Sequence, residues 1–144
     1  VTNSKGDETT KIISELSELN IKINVTAIFT NKQIDRLIEN VNPKEEIILS
    51  IFAGRIADTG RDPTEIFLNT KKKLVSKSKN FKTLWASVRE VYNIYQAANV
   101  GSDIITVTPS SLDKINLMNK DLDQYSIETV KMFYDDAKKG NLKI

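Results

Sequence analysis

Residues 46–53 read Glu46-Ile47-Ile48-Leu49-Ser50-Ile51-Phe52-Ala53. Apolar side chains follow one another here without alternation, and the run lies between the Asn42-Pro43 break and Gly54-Arg55. It is too short for a core helix and rich in β-branched residues, so it reads as a strand covered on both faces. Strands of that kind belong to parallel sheets, where helices shield the apolar faces from water.

Working outward, the same alternation of strand and helix recurs. Residues 21–29 (IKINVTAIF) form another short β-branched run. Thr30-x-x-Gln33 is a capping box, and Ile34, Leu37, Ile38 and Val41 continue one helical stripe behind it. Asp62-Pro63-x-Glu65 opens a helix with Ile66, Phe67 and Leu74 on its apolar side. Residues 83–89 (TLWASVR) read as a third strand, followed by a helix through Val91, Ile94, Tyr95 and Ala98 that closes at Gly101. Residues 103–108 (DIITVT) read as a fourth strand, and Pro109 leads into a short helix with Leu112 and Ile115. A last helix is expected from about residue 126 to 139, stopping at Gly140, with Val130, Phe133, Tyr134 and Ala137 on its face. Ahead of all this, Asp7 is placed to cap a helix carrying Ile12, Ile13, Leu16 and Leu19.

The expected class is therefore α/β: four parallel βα units and a C-terminal helix, with residues 1–144 as one segment free of linkers and repeats. A (β/α)8 barrel and a doubly wound sheet both satisfy this order. No glycine-rich fingerprint follows any strand, which weighs against dinucleotide binding.

Composition narrows the chemistry. The 144 residues contain no cysteine and no histidine. Thiolate nucleophiles, thiolate metal sites and Ser-His-Asp hydrolysis are thereby excluded, and any proton transfer falls to Lys, Asp, Glu, Tyr, hydroxyls or water. The net charge of +2 is too small to imply nucleic acid. The triplet Lys71-Lys72-Lys73 reads as a solvated helix face. No apolar run approaches the roughly 18 residues of a membrane span, and no signal peptide opens the chain, so a cytoplasmic protein is expected.

In parallel βα folds chemistry collects at the carboxyl ends of the strands. Asn24 and Thr26, two apart, share a face of the first strand. Ser50 and then Arg55 follow on the second, Ser87 and Arg89 on the third, and Thr106 and Thr108 on the fourth. Arginine forks and neutral hydroxyls converging on one rim suit a phosphorylated, hydroxyl-rich ligand. Each residue has a plainer reading too: hydroxyls at strand ends cap helices, arginines there join salt bridges, and Phe52 and Trp85 fill core. Asn24 within an apolar strand is harder to dismiss, since a buried amide needs partners.

At these residues the chain resembles the transaldolase family, in the short single-domain branch that includes fructose-6-phosphate aldolases. The resemblance rests on Asn24-Val25-Thr26 with Phe29, on residues 50–56 (SIFAGRI), on Ala86-Ser87-Val88-Arg89 and on residues 104–109 (IITVTP), in register along the whole chain. It implies a (β/α)8 TIM barrel of which this segment forms the second half. It also implies transfer of a dihydroxyacetone unit between ketose and aldose phosphates through a lysine Schiff base, with no metal or cofactor. Asn24 would lie near the Schiff base, Thr26 would hold the catalytic water, Ser50 and Phe52 would line the pocket, and Arg55, Ser87 and Arg89 would bind phosphate. Phe at position 52 favours transaldolase over the aldolase-type members, which carry Tyr there. Val88 departs from the usual Pro or Phe.

Val1-Thr2 look like the end of the family's K-x-x-x-T pattern, so the Schiff-base lysine is expected three residues before Val1. Lys22 and Lys82 fall at the amino ends of their strands and are poor substitutes. The partners implied are sugar phosphates, the first half of the barrel, and further copies of the chain meeting through the final helix at Phe133 and Tyr134. A non-catalytic sugar-phosphate binder keeping Arg55, Ser87 and Arg89, and a flavodoxin-like regulatory domain, are the competing expectations.

Overall fold

The computed structural model describes residues 1–140. Helix α1 (Thr10–Glu18) leads to β1 (Ile23–Ile28), α2 (Asn31–Asn40) and β2 (Ile47–Ile51). Then come α3 (Ala53–Ala57), α4 (Thr64–Leu74), β3 (Phe81–Trp85), α5 (Tyr92–Asn99) and β4 (Ile104–Ile105). The described chain ends with α6 (Pro109–Asp113), a 3-10 turn at Lys114–Leu117 and the long α7 (Leu122–Lys139). The four strands lie side by side in sequence order and every pair is parallel. This is the arrangement expected of a run of βα units, and no described helix is long and apolar enough to cross a membrane.

The two faces of the sheet have different tasks. Val25, Ile28, Ile47, Leu49, Ile51, Phe81 and Trp85 point into the helical layer, where they meet Ile34, Leu37, Ile66 and Phe67 in one buried core. Trp85 and Phe67, both fully buried, stack with ring centroids 4.7 Å apart. The opposite face carries Asn24, Thr26, Ile48, Ser50, Lys82 and Leu84, by strict alternation and register. Asn24 and Thr26 are exposed on it.

The capping box forms as expected: the Gln33 amide donates to Thr30 Oγ1 at 3.2 Å, while Gln33 Oε1 accepts from the Thr30 amide at 3.1 Å. Several local expectations are corrected. Asp7 does not cap α1; Thr9 occupies that position without a side-chain bond, and Asp7 closes a turn around Asn3. Ala53, read as the last residue of a strand, instead begins α3. β3 stops at Trp85, because Ser87 takes a left-handed backbone (φ 64°), so Ser87 and Arg89 sit in a loop and not on one strand face. α5 turns Asn93, Ala97 and Val100 inward and leaves Tyr95 exposed.

α7 begins earlier than expected, at a cap formed by Asp121, whose carboxylate accepts from the Gln124 amide at 2.8 Å. None of its residues is buried, and Val130, Phe133 and Tyr134 remain exposed.

The lysine triplet is not simply a solvated face. Lys73 pairs with Asp35, and Lys71 Nζ donates to Asp103 Oδ2 at 2.8 Å, so two of the three tie α4 to its neighbours. Asp103 Oδ2 also accepts from the amide and hydroxyl of Thr83, at 2.7 and 2.8 Å. Desolvation alone would raise the Asp103 carboxyl, but the hydrogen bonds from Lys71 and Thr83 outweigh it and hold it below the usual carboxylate range. A depressed folded-state value contributes stability above the unfolded pKa of about 3.9 and loses it as pH falls through the folded one. Asp103→Asn is therefore expected to lower stability at pH 7 by roughly 1 kcal/mol, given the partial exposure of the pair, with the deficit shrinking as pH falls below the unfolded value and through the lower folded one. Thermal melts of both proteins across that range check it, and a deficit independent of pH would remove the carboxylate from the account.

Candidate active site

The open face of the sheet and the loops leaving the carboxyl ends of its strands bring most of the expected residues together. Ser50 Oγ donates to Asn24 Oδ1 at 2.6 Å, across the β1–β2 pair. Asn24, expected to be buried, is exposed, while Ser50 is buried at 3% exposure. The bond fixes the Asn24 amide by its oxygen and leaves its NH2 group free to donate outward. Thr26 lies one step further along the same face and is also exposed.

Phe52 follows β2 directly and is half-buried. Its ring packs at a tilt against Phe29, with centroids 5.7 Å apart, and the Arg55 guanidinium lies over it at 5.3 Å. A cation held over an aromatic face keeps its N–H edges available. Arg55 is exposed and forms no salt bridge among the described residues.

Gly54 joins this corner to the next loop. A Cβ placed there would lie 1.6 Å from the Ser87 carbonyl oxygen and 3.0 Å from Arg89 Cγ. The α3 backbone therefore runs directly against the Ser87–Arg89 loop, and Arg89 crosses beside the residue preceding Arg55. The Arg89 guanidinium pairs with Asp58 at 2.7 Å, both about half exposed. The ordinary role of an arginine at a strand end is thus present here, although one carboxylate leaves most of the five guanidinium donors unused.

Thr108 does not join the group. Its hydroxyl accepts from the Ser111 amide at 3.3 Å and caps α6, the plainer of its two readings. Thr106 is exposed beyond the end of β4. Lys82 lies on the open face in the row of Asn24 and Ile48, near the amino end of β3, away from the loops that carry the arginines.

Three residues that organise the site were not singled out from the sequence. Asn93, buried, accepts the backbone amides of Arg89 and Glu90 at 2.9 and 3.2 Å and so holds the loop in shape. Asp58 orients Arg89, and Gly54 permits the close approach. The glycine in SIFAGR was the one visible signal, since close backbone approach is a common reason for glycine; nothing marked Asn93 or Asp58. No cluster of metal-ligating side chains occurs among the described residues. Chemically, the corner offers two arginines, hydroxyls and an oriented amide, which suits an anionic, hydroxyl-bearing ligand.

Comparison with known proteins agrees with the resemblance. The transaldolase/fructose-6-phosphate aldolase family model matches residues 4–144. A probable transaldolase of Carboxydothermus hydrogenoformans is 33% identical over 100 residues, covering 67% of this chain and 44% of that protein. One from Nitrosopumilus maritimus is 33% identical over 107 residues, 73% of this chain and 46% of that protein. One from Thermoplasma volcanium is 31% identical over 133 residues, 92% of this chain and 56% of that protein. The chain spans about half the length of the curated relatives it matches. With four parallel strands, alternating helices and a C-terminal helix consistent with part of a (β/α) barrel, it belongs to the transaldolase/fructose-6-phosphate aldolase family.

Proposed function

We propose that this chain forms the second half of a transaldolase barrel that moves a dihydroxyacetone unit between ketose and aldose phosphates through a lysine Schiff base. In this reading the lysine is contributed by a strand other than the four described here, and sugar phosphates bind at the corner built by β2 and β3. The observation that carries the reading is the close approach of Ser87 and Arg89 to Gly54, the chain neighbour of Arg55, together with the Asn24–Ser50 hydrogen bond on the open face of the same sheet. Arginine forks suit the phosphate, the Asn24 amide is free to orient a substrate hydroxyl or water, and Thr26 is assigned to hold the water that relays protons. Phe52 offers no hydroxyl to that water, which favours transfer over simple aldol cleavage.

The test is a transfer assay from fructose 6-phosphate to an aldose phosphate, with borohydride added to trap the imine as a mass increase on lysine. Transfer with trapping supports the reading. Cleavage without need of an acceptor would shift it to an aldolase, and neither transfer nor trapping would leave a sugar-phosphate binder. In the same assay, Arg55→Ala and Arg89→Ala are each expected to raise KM for phosphorylated substrates on the order of 10- to 100-fold, from the loss of a charge-assisted contact. KM for unphosphorylated analogues should hardly move. Equal effects on both substrate types would take the arginines out of the phosphate site.

A further inference from the structure

β1 changes phase partway along its length. Val25 pairs with Leu49, but the next register partner is Ile28 with Ile51, three steps on β1 against two on β2. One residue is extra, and Ala27 supplies the turn: its backbone is left-handed, at φ 57°. Without that turn, alternation would put Ile28 on the open face beside Thr26 and send Phe29 into the helical core. With it, Thr26 and Ala27 are exposed in succession, Ile28 is fully buried, and Phe29 reaches the ring of Phe52.

The irregularity is held on its amino side by the Val25–Leu49 pairing and on its carboxyl side by three further bonds. The Phe52 amide donates to the Ile28 carbonyl at 2.9 Å, resuming the link to the neighbouring chain segment. The amides of Phe29 and Thr30 both donate to Gln33 Oε1, at 2.8 and 3.1 Å. Glycine is the usual residue at a left-handed bulge position, because a Cβ is disfavoured there. Here an alanine is held in that conformation by fixed segments on both sides, in the strand that carries Asn24 and Thr26. Strain held in place beside a polar cluster points to a positioning role.

We infer that Ala27 is a positioning residue: its left-handed backbone lets Thr26 face the pocket while Ile28 fills the core and Phe29 backs Phe52. Phe29 thereby becomes an aromatic support for the pocket wall. The inference rests on the transaldolase reading for its catalytic readout, but the geometry is independent of it.

The experiment uses the complete enzyme with Ala27 replaced by Gly, Asn and Val, and Phe29 by Leu. Gly and Asn accept a left-handed backbone, and Val does not. Gly and Asn variants are expected to keep kcat within about threefold and to melt no lower than the parent, while Val lowers kcat about 100-fold with KM for sugar phosphate little changed, the scale set by small misplacement of a reacting group. Phe29→Leu should lower kcat while leaving the melting temperature within a few degrees, since a ring on the rim is not core.

A Val variant that keeps its kcat, a Gly variant as damaged as Val, or equal losses in kcat and in affinity would each overturn the inference. If the Val protein does not fold, Phe29→Leu decides: a large stability loss without a specific kcat loss places Phe29 in the core and sinks the proposal. A parent enzyme without transfer activity would refute the transaldolase reading instead, and the melting order of Gly, Asn and Val would still judge the bulge.

Discussion

Gly54→Ala is expected to destabilise the protein by about 3 kcal/mol or more and to abolish the proposed transfer activity, although adding a methyl to a helical glycine ordinarily stabilises by up to about 1 kcal/mol. The sign is decided by distance. The new Cβ would sit 1.6 Å from the Ser87 carbonyl oxygen and 2.8 Å from its carbon, both backbone atoms. No rotamer change relieves a contact with backbone, so α3 must lift away from the Ser87–Arg89 loop. That movement breaks the Gly54 amide contact to the Ala86 carbonyl, 3.4 Å in the intact protein. It also separates Arg55 from Arg89. Chemical denaturation with activity measured in parallel checks this, and a variant as stable and as active as the parent would show that the approach is looser than drawn.

Phe67→Ala is expected to cost about 3–5 kcal/mol, the range for emptying a fully buried aromatic site. Phe67 is wholly buried and stacks on Trp85 at an interplanar angle of 22°, joining α4 to β3. The chain has a single tryptophan, so its fluorescence follows this contact without competing signals. The midpoint should fall, and the native emission of Trp85 should shift even before unfolding. Phe67→Leu should retain much of the stability, because it leaves a smaller void. A loss under about 1 kcal/mol for the alanine variant would mean that the surrounding helices collapse into the space.

Much of the fold was legible because it depends on short-range rules. The strand at Ile47–Ile51 and the capping box at Thr30 and Gln33 announce themselves in a few consecutive residues. The failures share a different cause. Ala53 closes an apolar run, and over so few residues periodicity does not show that a helix starts there. The end of β3 is set by the left-handed backbone at Ser87, which rests on Gly54 thirty-three positions away in the sequence. The buried stripe of α5 passes through Asn93, a polar residue retained inside because it accepts two loop amides. At the candidate site, the placement of Asn24 and Ser50 on one face and of Arg55 and Arg89 beyond the strand ends was readable. Their partners were not: Asp58 and the Ala27 turn are matters of register and tertiary approach.

The division between the two faces of the sheet bears on how such a protein can change. Packing that holds the strands to α2 and α4 is vested in Val25, Leu49, Ile51 and Trp85, whereas Asn24, Thr26, Ser50 and Leu84 look the other way. Of these, Thr26 is exposed and unpaired, whereas Ser50 and Leu84 are buried at 3% and 6% exposure and Asn24 is bonded to Ser50, so a substitution within about 0.5 kcal/mol is expected at Thr26 and not across the face as a whole. A lineage, or a directed-evolution library, can vary Thr26 while drawing little on its stability reserve. The corner at Gly54 is the opposite case, because there one backbone contact anchors α3 against the Ser87–Arg89 loop.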